Sequence, residues 1–337
     1  MSRMQNPRQI LVTGAAGFIG FHVARLFLEK GWQVVGIDNF NDYYDVRLKE
    51  ARHERLQAYP AYKGVRMDLC NRAGVMDLFE EMRFDTVIHL AAQAGVRYSI
   101  DHPFAYLDSN LTAFLSVLEA VRHKGPERLV YASSSSVYGG NKKLPFAEAD
   151  NVDSPVSLYA ATKRANELIA HTYTHLYDMQ TVGLRFFTVY GPWGRPDMAM
   201  WIFADKIRRG ESIPVYNYGN MKRDFTFIDD ITNGVYAAAT SSNLEKYEVF
   251  NLGNHRCEEL LDLITEIENA LGEEAQKELL PMQPGDVPAT YAEVDRARKK
   301  LGYEPLTPIT EGVPRFIEWF SSYYDEILPG MAEELKE

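Results

Sequence analysis

Two patterns of apolar residues alternate through the first half of the chain. Short, nearly unbroken apolar runs at residues 10–13, 33–37, 65–67, 86–90, 128–132 and 181–187 predict buried strands. Between them, apolar residues recur three and four apart over 18–30, 73–82, 104–123 and 158–177, the spacing that lays one stripe along an α-helix. Strands alternating with helices predict an α/β fold. Right-handed crossovers then give a doubly wound parallel sheet, a Rossmann arrangement, covered by helices on both faces.

The alternation loosens after Pro192. Glycine, proline and tryptophan punctuate 191–196, which predicts a loop entering a smaller, mostly helical C-terminal lobe. Helical spacing returns at 198–209, 229–240, 258–271 and 310–324. The predicted division is a first domain over 1–188, with segments near 224–252 returning to it, a second lobe over 189–330, and a charged tail at 331–337 that frays.

Composition narrows the function classes. Of 337 residues, 47 are acidic and 36 basic, and the net charge of −11 disfavours a nucleic-acid surface, which needs clustered cations. Two cysteines, Cys70 and Cys257, are too few for a disulfide framework and predict free thiols. No apolar run reaches the roughly 18 residues of a membrane span, and residues 1–9 lack the apolar stretch of a signal peptide. The histidines show no metal-ligand spacing, so no metal is expected. These readings predict a cytoplasmic protein without membrane or nucleic-acid partners.

The chemistry begins at Gly14-Ala15-Ala16-Gly17-Phe18-Ile19-Gly20, between the first strand and the first helix. Glycines there let backbone N–H groups approach a pyrophosphate that the helix N-terminus also attracts. Asp38, closing the second strand, suits the ribose hydroxyls of an adenosine and would repel a 2′-phosphate, so NAD is expected over NADP. Asp68 has two compatible readings: it accepts from the adenine amino group, or it N-caps the helical segment from Asn71.

Tyr159 and Lys163 stand four apart in a helical segment and share a face. A phenol with pKa near 10 needs help to act as a base, and a nearby ammonium with a positive nicotinamide ring would supply it. The strand at 128–132 runs into Ser133-Ser134-Ser135-Ser136, which is either turn chemistry or a hydroxyl relay to Tyr159.

These pieces, with His89-Leu90-Ala91-Ala92, Val137-Tyr138-Gly139, Leu184-Arg185-Phe186-Phe187, Val189-Tyr190-Gly191-Pro192 and Arg223-Asp224-Phe225, resemble the extended short-chain dehydrogenase/reductase family of nucleotide-sugar epimerases and dehydratases. The resemblance implies that Ser134 and Tyr159 flank the sugar 4-hydroxyl and that Lys163 holds the nicotinamide ribose. It implies an NAD site formed by Gly14, Gly17, Phe18, Ile19, Gly20, Asp38, Asn39, Asp68, Leu69, Leu90, Ala91, Ala92, Gln93, Asn110 and Phe187 with Tyr159 and Lys163. A UDP-sugar substrate is implied, with Arg223 on the diphosphate and Asp286 nearby, and a homodimer through the helices after Pro103 and around Tyr159.

Within the family, 4,6-dehydratases carry Thr-Asp-Glu where this chain has Ser134-Ser135-Ser136, and decarboxylases carry a glutamate in that stretch. Serines supply neither the acid nor the base of an elimination. The segment Tyr190 to Met198 is most similar to UDP-glucuronate 4-epimerases. There Arg195 would grip a sugar carboxylate with Thr188 and Ser136, since a guanidinium offers paired donors. Without the resemblance, Arg195 reads as a loop ion pair. Arg97 is a further sugar-side candidate or a solvated loop charge, and Gln283 stands where galactose epimerases carry a second diphosphate arginine. The implied reaction is NAD-dependent C4 epimerisation of UDP-glucuronate to UDP-galacturonate. The alternatives are a UDP-glucose/galactose epimerase, a UDP-glucuronate decarboxylase, or a non-catalytic NAD sensor.

Overall fold

The computed structural model describes residues 8–283 and 286–326, so the tail expected at 331–337 lies outside the described residues. The chain runs β1 (Gln9–Thr13), α1 (Phe18–Glu29), β2 (Gln33–Asp38), α2 (Val46–Gln57), β3 (Tyr62–Arg66), α3 (Arg72–Glu81) and β4 (Thr86–His89). Two single turns, α4 (Tyr98–Asp101) and α5 (Pro103–Tyr106), lead through a π-helical turn at Leu107–Thr112 into α6 (Ala113–Lys124). Then come β5 (Arg128–Ser134), α7 (Leu158–Tyr177) and β6 (Thr181–Phe186).

Beyond β6 the elements shorten: β7 (Thr188–Tyr190), α8 (Ala199–Arg208), β8 (Ile213–Tyr216), β9 (Lys222–Arg223), β10 (Phe225–Phe227) and α9 (Ile228–Thr240). The remainder is β11 (Tyr247–Leu252), β12 (Glu258–Glu259), α10 (Leu260–Leu271), β13 (Lys277–Leu280), α11 (Asp295–Leu301) and α12 (Ile309–Glu326).

Seven parallel strands form one sheet in the order β11-β6-β5-β4-β1-β2-β3. The chain builds outward from β1 to β3, then crosses back to β4 and builds the other way. The strand ends at Thr13 and His89 therefore flank the switch point, where a crevice opens beyond the carboxyl ends of the strands. Ile10, Leu11, Val12, Val87, Ile88, Leu129 and Val130 are fully buried, as a sheet covered on both faces requires. The smaller lobe adds strand pairs β10–β7, β12–β9 and β13–β8 to its helices.

Among the elements that differ from the sequence expectation, three lie in the first half of the chain. Helix α2 was not predicted, because its buried positions include Lys49 and Arg52 and its mean hydropathy is low. Strand β3 starts at Tyr62, ahead of the predicted 65–67, since an edge strand with mostly exposed residues has no apolar run to mark it. The helix expected at 104–123 is interrupted by the π-helical turn, which swings Asn110 into the core.

Behind β5 and β6 lies a buried polar network. Arg185 forks onto Glu167, Nε to Oε1 at 2.8 Å and Nη2 to Oε2 at 2.9 Å, and both residues are buried. Ser133 donates to Glu167 Oε1 at 2.7 Å and Arg164 to Oε2 at 3.1 Å. Arg185 Nη1 also donates to Tyr138 Oη at 3.0 Å, which in turn donates to Asn251 Oδ1 at 2.6 Å.

Candidate active site

A cavity of about 440 Å³ opens at the switch point and runs from the β1–α1 turn to the 188–198 segment. Its floor is the glycine turn. Gly14 has φ 72°, and a Cβ there would stand 2.8 Å from Ala91 N, so only glycine fits between the two crossing loops. A Cβ on Gly20 would collide with the Gly14 carbonyl oxygen, which fixes the close packing of α1 on the turn. Helix α1 has no side-chain cap and no acidic residue in its first turn. Its leading N–H groups are thus left for an anion. These features fit a dinucleotide pyrophosphate.

Asp38 ends β2 at the cavity wall, with Oδ2 accepting from Ala16 N at 3.1 Å and Oδ1 from Phe40 N at 2.9 Å. Two N–H donors orient the carboxylate and leave lone pairs for further hydroxyl donors. Asp68 accepts from Asn39 Nδ2 at 3.0 Å and Cys70 N at 2.8 Å; burial would raise its carboxyl, but these donors hold it below the usual range. Asn71, not Asp68, caps the following helix by accepting from Gly74 N, which corrects the capping half of the expectation.

Helix α7 starts at the Ser157 cap and brings Tyr159 and Lys163 to the opposite wall. Burial raises the Tyr159 phenol above its ordinary value; a hydrogen bond from Ser134 and the positive charge of Arg195 oppose the rise. Lys163 Nζ sits 6.0 Å from the Tyr159 ring centre and donates to Ala132 O at 3.0 Å. Burial pulls its amine down to about 8. The cation that lowers the phenol in this structure is Arg195, while Lys163 is anchored to Ala132 O on β5.

The four serines divide in two. Ser133 turns inward to Glu167. Ser136 Oγ donates to Ser134 Oγ at 2.9 Å, and Ser134 meets Tyr159, so a hydroxyl chain runs along the cavity wall.

Arg195 lines the cavity, but its fork is turned onto Asp197: Nε to Oδ1 at 2.9 Å and Nη2 to Oδ2 at 2.5 Å. Tyr43 Oη donates to the same Oδ2 at 2.9 Å. Arg223 lines the far end, donating to Lys222 O at 2.9 Å and Pro288 O at 3.3 Å. Burial lowers its pKa while the Asp286 carboxylate raises it.

Every expected cofactor residue except Asn110 lines the cavity, and so do Ser134, Ser136, Thr188, Arg195, Arg223 and Asp286. Asn110 is buried behind the wall. Its Oδ1 accepts from Gln93 N at 2.8 Å and its Nδ2 donates to Gln93 O and Thr162 Oγ1, so it shapes the Gln93 loop instead of reaching the cavity. Arg97 is exposed outside the lining and pairs at 3.1 Å with Asp286, which does line it. The sequence reading missed Asn41, Tyr43, Tyr44 and Lys49, contributed by the loop before α2 and by α2 itself. Only the density of tyrosines in Asp42-Tyr43-Tyr44-Asp45 marked that segment.

The model of the NAD dependent epimerase/dehydratase family matches residues 10–253. A probable UDP-glucuronate 4-epimerase of Rhizobium meliloti is 45% identical over 331 residues, covering 93% of this chain and 97% of that protein. UDP-glucuronate 4-epimerase 4 of Arabidopsis thaliana is 46% identical over 335 residues, covering 95% of this chain and 76% of that protein. Among solved structures, UDP-glucuronic acid 4-epimerase from Bacillus cereus in complex with UDP-glucuronic acid and NAD superposes with TM-score 0.88 at 33% identity, covering 94% of this chain and 100% of that one.

Proposed function

The chain belongs to the NAD dependent epimerase/dehydratase family, and on that premise we propose that it catalyses NAD-dependent epimerisation at C4 of UDP-glucuronate, giving UDP-galacturonate through a transient 4-keto sugar. The observation that carries this reading is the junction of Tyr159, the Ser134–Ser136 hydroxyl chain and Arg195 in one cavity with the glycine turn. An acid–base group, a hydroxyl relay and a guanidinium beside a dinucleotide cradle suit oxidation and re-reduction of a uronic acid hydroxyl.

Bound NAD would supply the hydride acceptor and donor at C4 of the sugar. The protein's own part is proton handling and restraint. Tyr159 takes the 4-hydroxyl proton with Ser134 alongside and gives it back after the keto sugar has turned over. Lys163, fixed by Ala132 O, is placed to hold ribose hydroxyls. Gly14, Gly17, Phe18, Ile19 and Gly20 cradle the pyrophosphate, Asp38 the adenosine ribose, and Asn39, Asp68 and Leu69 the adenine end. Leu90, Ala91, Ala92, Gln93 and Phe187 wall the nicotinamide end. Residues 1–188 with 224–252 form the NAD unit, and the lobe within 189–330 holds the UDP-sugar, with Arg223 on its diphosphate.

The uronate has a chemical hazard. Oxidation at C4 makes a β-keto acid, which loses carbon dioxide when the C5–C6 bond aligns with the carbonyl π system. Thr188, Ser136 and Arg195 restrain the carboxylate out of that alignment. For Arg195 this means exchanging one carboxylate, Asp197, for another. A neutral sugar would leave the Arg195–Asp197 fork undisturbed, and that observation favours UDP-glucose as a second, slower substrate.

Exposed apolar residues on α5 to α7, including Phe104 at 76%, Leu176 at 60% and Leu168 at 52%, support a homodimer through these helices. Free Cys70 and Cys257 suit a reducing cytoplasm, and no described helix is long and apolar enough to cross a membrane.

Incubating the purified protein with UDP-glucuronate and with UDP-glucose, and resolving products by NMR, tests the assignment. UDP-galacturonate formed without added NAD is the expected result. UDP-galactose alone would move the assignment to the neutral sugar, a UDP-pentose to decarboxylation, and no product from either to a binding protein.

A further inference from the structure

Helix α2 buries a cation that the reaction described above does not use. Arg52 is fully buried, and among the described residues no carboxylate pairs with it. Its partners are neutral: Nη1 donates to Ala16 O at 3.0 Å and Tyr44 Oη at 2.7 Å, and Nη2 to Trp193 O at 2.7 Å and Gly194 O at 3.0 Å. Its Nε is buried with no acceptor. A desolvated guanidinium is costly unless something nearby carries negative charge, and carbonyl dipoles answer only part of that cost.

Both ends of the bridge are functional. Ala16 sits inside the glycine turn, and its N–H donates to Asp38 Oδ2. Gly194 immediately precedes Arg195. The same segment is held by a second tie from the nucleotide side, His22 Nε2 to Pro192 O at 2.9 Å. Trp193 there adopts φ 62°, a left-handed conformation that a bulky residue keeps only where its surroundings impose it.

We propose that Arg52 is a positioning residue that couples the two halves of the cavity. A dinucleotide diphosphate in the glycine turn supplies the negative charge the buried guanidinium lacks, and the same guanidinium fixes the 193–194 backbone that presents Arg195 to the sugar. Cofactor occupancy thereby tightens the UDP-sugar site, and by reciprocity the sugar tightens the cofactor site. The inference rests on the assignment of cofactor and sugar subsites made above.

The test is a binding cycle in the Tyr159→Phe background, which slows turnover by about 10²–10⁴-fold. Calorimetry measures UDP-glucuronate affinity with and without NAD, in chains carrying Arg52 or Arg52→Lys. A lysine keeps the charge but is a single point that cannot bridge both backbone segments. With Arg52, NAD should raise the sugar affinity at least about fivefold, the lower end of common couplings. With Arg52→Lys the factor should fall below about twofold. A purely structural role would lower thermal stability and both affinities while leaving their ratio unchanged, and an unchanged ratio overturns the proposal. Should UDP-glucose bind where UDP-glucuronate does not, the uronate assignment falls and the same cycle is read with UDP-glucose.

A second measurement needs no variant. Hydrogen exchange of the amides around Trp193 and Gly194 should slow when NAD alone is added to the stripped wild-type protein. No slowing overturns the coupling even if Arg52→Lys fails to fold.

Discussion

Two arginine–carboxylate forks lie ten residues apart in sequence and have nearly the same geometry, yet they sit in different physical situations. In the network behind β5 and β6, Arg185 and Glu167 are buried and their fork is fully bonded: Ser133 and Arg164 also donate to Glu167, and Tyr138 accepts from Arg185 and donates on to Asn251. At the cavity, Arg195 and Asp197 keep side-chain exposures of 22% and 29% and have one further polar partner, Tyr43. A saturated fork in a dry interior cannot change partners without leaving charges bare. A partly open fork on a cavity wall can. The contrast separates a brace from a site, and fork geometry alone does not.

Two tyrosines, one under the charge of the cavity fork and one bonded to the interior fork, should diverge most. Tyr159→Phe removes the proton acceptor and should lower kcat by about 10²–10⁴-fold with little change in the urea midpoint. Tyr138→Phe leaves Arg185 Nη1 and Asn251 Oδ1 without their shared hydroxyl. It should cost about 1–3 kcal/mol in stability and leave kcat close to wild type. A Tyr159→Phe enzyme with near-normal turnover would sink the base assignment.

The arginines come next. Arg185→Met takes the forked pair of donors from buried Glu167, leaving it Ser133 and Arg164, and should destabilise the fold by about 3 kcal/mol, read as a lowered urea midpoint. Arg195→Ala should stay within about 1 kcal/mol of wild type, because its pair is partly solvated. Its effect belongs to chemistry. More UDP-pentose should form relative to epimer, and the acid limb of the pH–rate profile should move upward, because the charge that lowers the Tyr159 phenol is gone. Equal stability losses for the two variants would erase the distinction between brace and site. An unchanged product ratio would remove the carboxylate restraint.

How much of this could be read from the chain follows the same division. The glycine turn, Asp38, Tyr159 and Lys163 were legible because each depends on local spacing: a strand–turn–helix junction, a strand end, one helix face. Asp197 as the partner of Arg195 was not legible. Two residues apart in a loop, the pair could face solvent, each other or a ligand, and only the fold chooses. The Arg97–Asp286 pair joins positions far apart in sequence, which no periodicity reports. Helix α2 escaped for a sharper reason. Hydrophobic periodicity finds buried faces made of apolar residues, and α2 buries Lys49 and Arg52 instead. Asn110 was assigned to the cofactor by resemblance, and the π-helical turn that hides it has no sequence signature.

The smallest expected difference concerns acid. Burial pushes Glu167 up, but the Arg185 donors and the Ser133 hydroxyl hold it below its ordinary 4.5. A carboxylate whose folded pKa is depressed binds fewer protons in the folded state, so the stability it adds is complete above its unfolded value and is lost as pH falls through the folded one. Asp197 behaves in the same direction, burial raising it and Arg195 and Tyr43 lowering it, from an ordinary 3.8. Its window therefore opens at lower pH, and solvent screening reduces its contribution. Urea midpoints at pH 7, 5 and 4 should show wild type weakening toward acid and Glu167→Gln weakening less steeply from a lower starting point. Asp197→Asn should follow the wild-type slope closely, with a difference that shrinks further in added salt. If Asp197→Asn flattens the acid slope as much as Glu167→Gln does, the cavity fork is as closed as the interior one, and Arg195 cannot be released to a substrate carboxylate.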